Sequence, residues 1–63
     1  MNHFVEAIEA RREIIRLYDS ANKSTTAKDY TRFQNMGDVA LASWMEQYSN
    51  LDKAEINRQA LLH

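Results

Sequence analysis

Glu6, Glu9 and Glu13 follow His3 at three- and four-residue spacing, which raises a carboxylate–metal reading. Metal sites of that kind in helical bundles need inward-facing carboxylates and commonly an E-x-x-H unit. Here the histidine precedes the glutamates, and the glutamates fall on the polar side of a helical pattern. Solvated charge is the better reading. His3 and His63 sit at opposite ends of the sequence, and chain ends hold a general base poorly. There is no cysteine, hence no thiolate nucleophile and no disulfide. Ser20, Ser24, Ser43 and Ser49 have no neighbouring signature that would activate a hydroxyl, and read as caps or solvent-facing groups. A single glycine, Gly37, cannot build a phosphate cradle. No catalytic, metal or cofactor residue is assigned, no cofactor is expected, and the chain is not expected to be an enzyme.

Two non-catalytic chemistries remain. Arg12, Arg16, Lys28 and Arg32, doubled in a dimer, would form a phosphate-binding patch. The net charge is −1, with eight basic and nine acidic residues. Interleaved glutamates weaken the patch, so nucleic acid is the alternative rather than the leading partner. Tyr30, Phe33, Trp44 and Tyr48 could stack on bases, but their spacing is that of a core face. The other chemistry is protein contact. Met36, Val39 and Ser43 have the spacing of a second helical seam, outside that core face. With Arg11 and Trp44 they make the expected protein-contact set.

The elements that must position these groups are helical. With no proline and one glycine, the turn chemistry of a sheet is missing. A first helix is expected over about Asn2 to Ala21, with Phe4, Ala7, Ile8, Ile14, Ile15, Tyr18 and Ala21 in one stripe. "ANKSTTAKDY" is the break, and Thr26 with Asp29 resembles a capping box. A second helix follows from near Ala27 to about Tyr48, with Tyr30, Phe33, Gly37, Ala40, Leu41, Trp44 and Tyr48 inward. "NMGD" could instead divide it, with Asp38 as a new N-cap. Asp52 and Glu55 have cap spacing for a short third helix, Lys53 to Leu61. A frayed tail, or one continuous helix from Ala27 onward, is the alternative.

Arg11 lies in the middle of the apolar stripe, with Ala7, Ile8, Ile14 and Ile15 at i±3 and i±4. No acid is within reach along its own helix. An antiparallel hairpin folded about Ser24 sets Arg11 opposite Gly37, a long side chain against none. Its head then snorkels to water or Asp38, or docks a second chain.

The expected fold is all-α: an antiparallel helical hairpin with a short C-terminal third helix, in one small domain over 1–63. A chain of this length buries little surface, so a homodimer completing a helical bundle is expected. In size and hairpin the chain resembles helical-hairpin dimers such as the plasmid RNA-binding Rop proteins. That resemblance is architectural and carries no shared motif. No apolar run spans a membrane and no signal peptide is read, so a cytoplasmic setting is expected. The functional expectation is a protein-interaction module, a regulator, chaperone or inhibitor of an unidentified protein partner.

Overall fold

The structure, a computed structural model, describes residues 3–62. It is all-helical among them: α1 (His3–Asn22), α2 (Ala27–Gln47) and α3 (Lys53–Leu61). The expected start at Asn2 lies outside the described residues, as does His63. Among the described residues no helix is long and apolar enough to cross a membrane.

Local chemistry accounts for the ends. Thr26 Oγ1 accepts from the Asp29 N–H at 3.1 Å, capping α2. Asp52 Oδ1 accepts from the Glu55 N–H at 3.2 Å, capping α3. Each satisfies one of the amides that a helix leaves unpaired at its start. Tyr48 closes α2 by donating its N–H to the Trp44 carbonyl at 3.0 Å. A turn follows, with the Leu51 N–H on the Tyr48 carbonyl, so α3 is a separate helix rather than an extension of α2.

α2 runs unbroken through Gly37, which has no positive φ. The division at Asp38 is therefore corrected. Asp38 caps nothing; its carboxylate accepts from the Tyr18 hydroxyl at 2.6 Å.

α1 is the central helix, packed by both α2 and α3. It buries Ala7, Ile14 and Ala21, residues seven apart that hold one line along the axis. Ala7 and Ile14 meet Trp44 and Tyr48 from the end of α2 and Ile56 from α3. Ile56 is fully buried, a contribution of roughly 1.5–3 kcal/mol. No residue from Ala27 to Arg32 is buried, and Tyr30, expected inward, is 45% exposed. The first turns of α2 therefore lie beyond the packed part of α1.

That displacement changes the hairpin register. Gly37 faces Tyr18, not Arg11. Arg11 instead faces Trp44, seven residues and two turns further along α2. The glycine does accommodate a large side chain against bare backbone, but the side chain is an aromatic ring.

Candidate functional site

The five expected contact residues separate into two places. Arg11 and Trp44 form one. The Arg11 guanidinium carbon lies 5.5 Å from the centre of the Trp44 ring, within cation–π range. Its Nε donates to Asn57 Oδ1 of α3 at 2.8 Å. Nη1 is shielded from solvent without a hydrogen-bond partner, so the indole face is the main compensation for that side of the cation. Trp44 is 5% exposed and its indole N–H donates to the Ala7 carbonyl at 3.0 Å. Trp44 is thus an interior residue of this chain, not an outward contact residue. Arg11 neither snorkels towards Asp38 nor points free into solvent; it ties α1 to α2 and α3. The absence of an acid near Arg11 on its own helix was a real signal of a distant partner. Nothing marked Asn57 as that partner, because an amide on a short helix has many uses.

The second place is the outward face of α2. Met36, Val39 and Ser43 do lie together, with Leu17 of α1 and with Asn35 and Ala40, around an open groove of about 640 Å³. Val39 is 72% exposed and Met36 48%. Arg32 stands seven residues before Val39 and Glu46 seven after. Glu46 makes no ion pair or hydrogen bond with a described residue. Arg32 has only Asp29 at 3.9 Å as a counter-charge, and its guanidinium lies 5.0 Å from the Phe33 ring centre.

The basic residues of the alternative reading form two pairs. Arg12 and Arg16 adjoin Ala60 of α3 in a small cleft, and Arg16 is paired with Glu13. Arg12 Nε is buried. Lys28 and Arg32 lie on the first turns of α2. Among the described residues no group of three or more histidines and acids is placed to share a metal. His3 lies 3.5 Å from Glu6, an exposed local pair.

Three titrating groups are displaced from their ordinary values. The hydrogen bond to Asp38, with burial and the carboxylate's charge, raises Tyr18. The hydrogen bond to Asp19 raises Lys23. Hydrogen bonds from Arg58 and then Gln59 lower Glu55. All three are helix-surface or helix-pairing contacts, and none faces the α2 groove. No protein-family model, curated protein or solved structure matches the chain.

Proposed function

We propose that this chain is a small non-enzymatic protein-interaction module, acting through helical faces as a homodimer and serving as a regulator, chaperone or inhibitor of a partner protein. A cytoplasmic setting fits the cysteine-free sequence. One observation carries the reading. The apolar groove around Val39 is open, and its two most exposed apolar side chains lie adjacent on one helix. A helix that is polar only on part of its outer side has a second apolar face to cover. A sixty-three-residue chain without disulfides also gains stability by covering it.

Val39→Asp tests this. At high micromolar concentration the unaltered protein is expected at the mass of two chains by light scattering. The variant is expected at the mass of one, with its helical circular dichroism retained, because residue 39 lies outside the core. An unaltered protein found as a monomer at that concentration, or a Val39→Asp variant that remains a dimer, refutes the reading.

A further inference from the structure

Resting on the homodimeric reading above, we infer that the second copy lies antiparallel across α2, with Val39 at the two-fold axis and Arg32 of each chain paired with Glu46 of the other. The heptad spacing of Arg32, Val39 and Glu46 places all three on one line of the helix, within about 20° per step. From Arg32 to Glu46 the line runs roughly 21 Å along the axis. It begins in a cation, ends in an anion and is centred on the most exposed large apolar residue among those described.

A two-fold axis at Val39 has definite consequences for the side chains around it. Met36, Val39, Ala40 and Ser43, which line the groove, stand at i, i+3, i+4 and i+7. That is the four-residue hole into which a facing helix inserts a knob. Val39 of the second copy is the knob. Met36 of each chain then packs against Ser43 of the other, long against small. At both ends Arg32 meets Glu46, so each chain contributes one cation and one anion. A parallel arrangement would set Arg32 against Arg32 and Glu46 against Glu46, and like charges face to face cost binding energy. Among the described residues Glu46 has no partner, and Arg32 has Asp29 at 3.9 Å and the Phe33 ring at 5.0 Å, both on its own helix. Neither must abandon a strong local contact to reach across.

The absence of cysteine makes the geometry directly measurable. Val39→Cys is expected to form a disulfide-linked dimer under mild oxidation. A mixture of Arg32→Cys and Glu46→Cys chains, treated with a short bifunctional thiol reagent, is expected to link one of each and not two of a kind. Arg32→Glu should weaken the dimer about tenfold, because two reciprocal attractions become repulsions. Arg32→Glu combined with Glu46→Arg should restore affinity to within about twofold, because complementarity returns with its sign exchanged. Circular dichroism on each variant shows that the fold is kept. If Val39→Asp dissociates the dimer but Arg32→Cys links to itself, or the exchanged charges fail to restore affinity, the antiparallel pairing is overturned while the interaction face stands. If Val39→Asp leaves the dimer intact, both are overturned.

Discussion

Replacing Gly37 with alanine sets two effects of known sign against each other. Removing a glycine from a helix interior gains about 1 kcal/mol. The new methyl would lie 2.9 Å from Tyr18 Cε1 and 3.0 Å from Cζ, well inside the ~3.5–4.0 Å of an ordinary carbon contact. The ring must retreat by roughly 0.5–1 Å. That movement works against the hydrogen bond from its hydroxyl to Asp38 at 2.6 Å. Overpacking of this kind costs about 1–3 kcal/mol. The expected balance is a loss near 1 kcal/mol, or about 4–8 °C in Tm for a domain of this size. In a Tyr18→Ala background the clash is gone, and Gly37→Ala should then stabilise by about 1 kcal/mol. The double-mutant cycle, followed by thermal melting at one protein concentration, should give a coupling of about 2 kcal/mol, within the range seen for touching residues. Arg11→Ala should give no such rescue, since Arg11 stands two turns away over Trp44. A Gly37→Ala protein stabilised equally with and without Tyr18 would refute the register.

Asn57→Leu removes the acceptor for Arg11 Nε and should cost about 1.5–3 kcal/mol, read by urea denaturation. Arg11→Met, which keeps the stem and removes the charge, should make the same Asn57 substitution nearly neutral. For Glu55 the folded-state value is lowered, so its contribution is present above the ordinary carboxylate range and lost as pH falls through the lowered value. For Tyr18 the folded-state value is raised, so its contribution is present below the ordinary tyrosine range and lost as pH rises through the raised value. Helicity followed across both limits should show the acid loss reduced by Glu55→Gln and the alkaline loss reduced by Tyr18→Phe.

The helices were legible because their causes are local. Periodicity, the lack of turn residues, and the caps at Thr26 and Asp52 depend on neighbours within about one turn, and the third helix lies where its cap spacing implied. The grouping of Met36, Val39 and Ser43 was equally legible, since one helix suffices to put them on one face. What pairs with what was not. Helical periodicity repeats along the axis, so sliding α2 by two turns leaves every stripe facing inward and changes every partner. Matches between the two helices distinguish those registers: the bare backbone at Gly37 admits the Tyr18 ring, and the Trp44 indole N–H reaches the Ala7 carbonyl. The same register sets Trp44 beneath the Arg11 guanidinium, while α3 brings Asn57 to it.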